Sequence, residues 1–330
     1  MAWRRGVAAL MTLVGLLTLG YVGISSYIAE QLVYAAPRPI VKTPASMGLR
    51  FADVTFPSRD DQINLKGWFI PGILPDGRLT VDRVIVAVHG TRTNRESPDD
   101  HLMQLTGALA RNGFGILGFD MRGMGESPPA PLSMGNLEQR DVLGAVDFLR
   151  SGKLPFPELG RPRIIGGLGM SMGASTLLLA AAREPAIQAV VSDSAYADAA
   201  PLLEREIPKQ KVAVIGRIPG ALAPSSLVMA RILYGVDLFG ARPVDSIARI
   251  APRPLLLIHG AADDYVPISN FHALEAAATA PATAHVTTWI VPKTRHTQAF
   301  KNTGDVYLTR VVAFFNAGLG ADRTAGGGGT

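Results

Sequence analysis

The chain has no cysteine among its 330 residues. That excludes disulfides, thiolate metal sites and a cysteine nucleophile. Charge is also scarce: Asp, Glu, Lys and Arg make up 18% of the residues, with a net charge of only +5. No Lys/Arg run carries interleaved aromatics, so no nucleic-acid partner is expected. The mild basic excess suits the surface of an anionic membrane. Apolar residues, by contrast, reach 48%, enough for a large buried core.

The N-terminus holds the longest apolar run. After Arg4 and Arg5, no charged residue occurs from Gly6 to Ala29, a stretch of 24 residues. A spanning helix needs roughly 20 apolar residues, and the apolar part of a secretory signal about 7–15. Residues 1–36 therefore read as a single-pass membrane anchor. Arg4 and Arg5 favour a cytoplasmic N-terminus, which places the rest of the chain outside the cytoplasm. The alternative is a signal cleaved near "LVYAAP" (Leu32–Pro37), leaving a secreted or periplasmic protein.

"AAPRPIVKTPAS" (Ala35–Ser46) is Pro-rich and reads as a linker. "FADVTF" and "INLKGWFI" resemble an antiparallel pair. Short apolar runs then alternate with helical segments: "RVIVAVHG", "FGILGFD", "RIIGGLGM", "IQAVVSDSA", "PRPLLLIHG" and "HVTTWIVP" read as strands. Strands apolar throughout, separated by helices, indicate a mostly parallel, doubly wound sheet covered on both faces. About fifty residues, 197–250, interrupt this rhythm and read as a helical cap inserted after a strand end. The main domain would span 37–318, and 319–330, "LGADRTAGGGGT", should be disordered.

Gly169-Met170-Ser171-Met172-Gly173 is a G-x-S-x-G between an expected strand and an expected helix. In that setting the motif marks a nucleophile elbow, a sharp turn that pushes the serine oxygen into the open. A serine needs a base, and the base an orienting acid. Of six histidines, His89 and His259 precede Gly at strand ends and read as structural; His101 and His272 fall on helices; His285 opens a strand. His296, in "VPKTRHTQAF", follows the last strand at the edge where open sheets place ligands, and is the best base. Asp263 and Asp264, in "HGAADDYVP", lie at the carboxyl end of the preceding strand. The resulting chain order is Ser…Asp…His. An oxyanion hole is expected from the backbone N–H of Met172 and, in the loop after "VIVAVHG", of Thr91.

With these motifs the chain resembles the α/β-hydrolase superfamily over roughly Val54–Ala317. The resemblance rests on "VHGTRTN", "GFDMRGMGES", "GLGMSMGAS", "HGAADDYVP" and "RHTQAF". It is most similar to the membrane-anchored, serine-aminopeptidase-like or BEM46-like hydrolases. The resemblance implies the α/β-hydrolase fold and makes Asp263 the triad acid, with Asp264 its rival. Asp193, one strand earlier, is a third candidate because some members take the acid there. "HGTRTN" lacks the HGGG of many esterases, which bears on Thr91.

The expected activity is that of a serine hydrolase cleaving an ester or thioester through an acyl-enzyme, with no metal and no organic cofactor. The substrate class is a small-molecule or lipid-like acyl compound, and the membrane is a partner through the N-terminal helix. A peptidase of the same fold is the alternative reaction. A catalytically silent, membrane-tethered binding protein is the alternative class. Within the cap, "VAVIGRIPGALAPSSLVMARILYG" (Val212–Gly235) carries only Arg217 and Arg231 as charges. It is expected to roof the site, and in a sharper reading part of it, including Leu227 and Ile232, touches the bilayer.

Overall fold

The computed structural model describes residues 2–212 and 216–320. Eight strands form one sheet: β1 (Ala52–Pro57), β2 (Asn64–Ile70), β3 (Arg83–Val88), β4 (Gly115–Phe119), β5 (Ile164–Met170), β6 (Ile187–Asp193), β7 (Leu255–Gly260) and β8 (Val286–Val291). Their spatial order is β1-β2-β4-β3-β5-β6-β7-β8. β2 runs antiparallel to both β1 and β4, and every other pairing is parallel.

The apolar strands are buried on both faces because helices cover both. Along β3, Val84, Val86 and Val88 join one core cluster and Ile85 and Ala87 the other, as a period of two requires. The first cluster is closed by α3 (Gln139–Ser151), α4 (Met172–Ala181) and α7 (Ile268–Thr279), through Val142, Leu177 and Phe271. The second is closed by α2 (Leu102–Ala110) and, after the short α8 (Ala299–Thr303), by α9 (Asp305–Leu319), through Leu105 and Phe315.

The segment expected as a cap contains α5 (Ala199–Glu206) and α6 (Leu222–Tyr234). Its Leu203, Leu222, Leu227 and Leu238 extend the first core cluster. Leu227 is fully buried, whereas Val228, Ile232 and Leu233 are exposed on the other side of α6. Leu227 is thus a core residue, and the outward apolar face of the cap consists of its neighbours.

α1 (Ala2–Val33) is a continuous helix, long and apolar enough to cross a membrane. Its first half is exposed: Leu10, Met11, Leu16 and Leu17 are all more than half exposed. Its last three turns differ, with Ile28, Ala29 and Val33 buried in the first core cluster. The Tyr21 hydroxyl donates to Ala221 O at 2.8 Å, and Ser25 and Ser225 share a hydroxyl hydrogen bond of 2.7 Å, so α1 is fastened along α6. The Pro-rich segment that follows is not a loose tether. Arg38 pairs with Asp99, Asn94 donates to the carbonyls of Arg38 and Pro39, and Val41 N–H donates to Glu96. Of the C-terminal stretch expected to be disordered, Leu319 closes α9 and Gly320 O accepts from Arg83; residues 321–330 lie outside the described residues.

Candidate active site

β5 ends at Met170 and α4 begins at Met172, so the chain reverses within the single residue Ser171. That residue has φ 54° and ψ −123°, a backbone conformation side-chain-bearing residues rarely adopt. The flanking glycines make the turn sterically possible. A Cβ on Gly173 would lie 2.3 Å from the carbonyl oxygens of both Val88 and His89, and one on Gly169 would lie 2.6 Å from Ala174 Cα. The crowding is with backbone, which cannot move aside. The Gly-rich sequence therefore serves close packing of β3, β5 and α4 around the serine.

Ser171 Oγ is 2.8 Å from His296 Nε2, and His296 Nδ1 is 2.7 Å from Asp263 Oδ2. An ionised carboxylate only accepts, so Nδ1–H is the donor to Asp263. In the neutral ring Nε2 then carries the lone pair and accepts from the Ser171 hydroxyl. The other oxygen of Asp263, Oδ1, accepts from the N–H groups of Tyr265 (3.0 Å) and Val266 (2.8 Å). These bonds fix the carboxylate on its loop at the end of β7. The Tyr265 ring stands 5.0 Å, centroid to centroid, from the His296 ring.

The rival acids have other partners. Asp264 is exposed and pairs with Arg295 at 2.7 Å, whose guanidinium holds its carboxyl below the usual range. Asp193 is completely buried beneath the elbow. Its carboxylate accepts from Ser194 Oγ (2.8 Å) and Tyr307 OH (2.9 Å), and its carbonyl accepts from Ser171 N–H (2.9 Å). Burial, only partly offset by the hydrogen bonds from Ser194 and Tyr307, pushes its carboxyl up to about 6.

The remaining histidines are spent on structure or the surface. His89 donates through Nδ1 to Gly90 O and accepts through Nε2 from Met121 N–H, and burial lowers its basicity. His259 faces Val266 O and is likewise lowered by burial. His272 is exposed beside Glu275.

Met172 is the first residue of α4, so its N–H has no intrahelical acceptor. Thr91 follows Gly90, where a Cβ would lie 3.5 Å from Ser171 Cβ, so this loop borders the serine. The "DMRGMGES" loop supports it from behind. Asp120 accepts from Arg95 N–H and Glu126 N–H and pairs with the Arg95 guanidinium, while Arg122 grips buried Asp141. Arg92 N–H meets Met124 Sδ at 3.2 Å.

One group near the site escaped the sequence reading. Asp100 accepts from Ser97 Oγ (2.7 Å) and from Thr297 Oγ1 (2.6 Å), the residue next to His296. It links the loop after β3 to the histidine loop across 197 residues of sequence. An aspartate in a polar loop carries no motif that distinguishes it from a solvated one. Tyr27, Ile28, Gln31 and Leu32 of α1 line a cavity together with Thr91 and Tyr265, and they were hidden for a different reason: an apolar run has no marked face.

The fold and strand order are those of the α/β-hydrolase fold. The family "Serine aminopeptidase, S33" matches residues 80–236. Among individual relatives, the uncharacterized protein YfhR of Escherichia coli K12 is 28% identical over 262 residues, 78% of each chain. The esterase Pf2001 of Pyrococcus furiosus superposes with a TM-score of 0.67 at 21% identity, over 87% of this chain and 99% of that one. The acylaminoacyl peptidase of Pyrococcus horikoshii gives a TM-score of 0.56 at 20% identity, over 81% of this chain and 42% of that one.

Proposed function

We propose that the protein is a serine hydrolase that cleaves an acyl ester or thioester, with Ser171 as nucleophile, His296 as base and Asp263 as orienting acid. The observation that carries this reading is the unbroken pair of hydrogen bonds from Ser171 through His296 to Asp263. Ser171 Oγ attacks the acyl carbonyl while its proton passes to His296 Nε2. Asp263 stabilises the imidazolium that results. The tetrahedral oxyanion forms beside the N–H groups of Met172 and Thr91, each donor contributing about 3 kcal/mol. Collapse breaks the bond to the leaving group, which takes the proton from His296. Water, deprotonated by His296, then attacks the acyl-enzyme and frees the acid and Ser171.

The helix α1 is proposed to remain attached and to anchor the protein, with the catalytic domain outside the cytoplasm. Two things support retention: the burial of Ile28, Ala29 and Val33, and the hydrogen bond from Leu132 N–H to Val33 O. A cut near Ala36 would strip these residues from the core.

The test is a hydrolysis panel on the full-length protein: p-nitrophenyl esters of graded length, an acyl thioester and an aminoacyl anilide, beside labelling with a fluorophosphonate. Ester or thioester turnover that Ser171→Ala abolishes is expected. Preference for the anilide would make the protein a peptidase. Absence of both labelling and turnover would leave a binding protein on a hydrolase fold.

A further inference from the structure

A cavity of about 420 Å³, within the range of small-ligand sites, lies between the cap, α1 and the loops that carry Thr91 and Tyr265. At its inner end stand Thr91 and Tyr265. Thr91 neighbours the glycine that abuts Ser171, and Tyr265 faces the His296 ring. Two lining residues of the cavity therefore adjoin the loops that hold Ser171 and His296. The cap lines it with the apolar Leu203, Ile207, Ile218 and Leu238 and with the polar Glu206, Gln210 and Lys211. Beside Arg92, Leu132 and Met134, the N-terminal helix lines it through Tyr27, Ile28, Gln31 and Leu32.

These four residues recur at i, i+1, i+4 and i+5, which places them on one face of α1. The Arg92 guanidinium donates to Gln31 O, tying this face to the residue after Thr91. The same helix is exposed and apolar up to Val22. A span of roughly 20 residues beginning at Trp3 ends there. Tyr27 follows five residues later, about 7–8 Å along the axis at 1.5 Å per residue. The wall of the cavity thus begins within two turns of the hydrocarbon edge. α6 runs parallel to α1, with Ala221, Ser225 and Tyr234 beside Tyr21, Ser25 and Tyr34, and exposes Val228, Ile232 and Leu233 level with the last turns of α1.

We infer that the last turns of α1 are a wall of the acyl site, and that the substrate is a long-chain acyl ester or thioester taken from the bilayer. This rests on the hydrolase reading above and adds to it the substrate class and the route. The acyl chain lies between Ile28 and Leu32 on one side and Leu203, Ile218 and Leu238 on the other. The carbonyl meets Ser171 at the end where Thr91 and Tyr265 stand. The anchor then does more than tether: it sets chain length and delivers the substrate edge-on from the membrane.

The experiment uses the full chain in phosphatidylcholine vesicles, with p-nitrophenyl acetate and p-nitrophenyl palmitate as probes. Leu32→Trp should lower kcat/KM for the palmitate at least tenfold and for the acetate less than twofold. Leu32→Ala, which enlarges the cavity, guards against misfolding of the first variant and should change the ratio of the two rates by threefold or more. Thermal unfolding midpoints close to that of the wild type would show that both variants are folded. In a second arm, palmitate ester loaded into the protein's own vesicles should turn over faster than the same amount in separate, protein-free vesicles. Ser171-dependent hydrolysis whose chain-length ratio ignores both Leu32 variants would overturn the wall while leaving the hydrolase intact. Equal rates from shared and separate vesicles would overturn the bilayer route. Hydrolysis that persists in Ser171→Ala would overturn the hydrolase reading and this inference with it.

Discussion

Asp263 and His296 meet at 2.7 Å, while Asp264, one residue on, turns outward to Arg295. The loop after β7 presents alternate side chains to opposite sides, so adjacent aspartates have unrelated environments. Asp263→Asn should reduce kcat/KM by roughly 10³-fold or more, because the amide cannot hold the same imidazole tautomer or stabilise its cation. Asp264→Asn should change it less than about twofold. Steady-state kinetics on one short ester separate the two, and the reverse result would move the acid by one residue.

Ser171 and His296 are expected to act as one unit. Ser171→Ala and His296→Ala should each remove nearly all turnover, about 10³-fold or more, and the double variant should lose little beyond either single one. Losses that multiply independently would be incompatible with a shared proton transfer.

Gly173→Ala would force a Cβ to within 2.3 Å of two backbone carbonyl oxygens. Neither β3 nor α4 can yield without disturbing the elbow. A destabilisation of ~3 kcal/mol or more is expected, together with loss of fluorophosphonate labelling. A well-folded, fully labelled variant in thermal unfolding would show that the turn is looser than this geometry.

Asp193 sets a pH dependence of stability. Its folded carboxyl is raised to about 6 by burial, above the unfolded value, so the folded state binds more protons between about pH 4 and 6. Stability from this group is therefore present below the unfolded value and is lost as pH rises through about 6. Asp193→Asn keeps an acceptor for Tyr307 or Ser194 and removes the buried charge. Relative to the wild type it should gain stability at pH 7.5, on the order of 1–3 kcal/mol, and gain least near pH 4. Denaturant midpoints at several pH values check this; a difference independent of pH would rule out the charge as its cause.

The helix α1 should stay with the protein. Carbonate washing should leave the chain in the membrane fraction, and a reporter fused after Thr330 should be active only outside the cytoplasm. A chain beginning at Ala36 would bare the surfaces that Ile28, Ala29 and Val33 cover and should be poorly soluble or lowered in Tm. Abundant, stable soluble protein starting near Ala36 would show instead a cleaved signal.

Much of this architecture is local in origin and therefore legible in the chain. The parallel sheet follows from apolar runs of strand length separated by helices, since strands covered on both faces need no polar side. The elbow is legible because G-x-S-x-G between a strand and a helix names a steric requirement, which the contacts of Gly169 and Gly173 bear out. The order of Ser171, Asp263 and His296 is legible because each follows a strand end, and parallel strands bring those ends to one edge. The tertiary structure decided what depends on contacts distant in sequence. Asp263 and Asp264 are chemically identical, and only the turn toward Tyr265 and Val266 selects which one faces the imidazole. Leu227 and Ile232 look alike in an apolar segment, and only the packing of α6 buries the first and exposes the second. α1 is the clearest case: Gly6 to Ala29 lacks charge on every side, so no periodicity marks where the exposed part of the helix ends and the core begins. That boundary is set by Ser225, Ala221 and Leu132, which lie 100 to 200 residues away and which no local pattern can report.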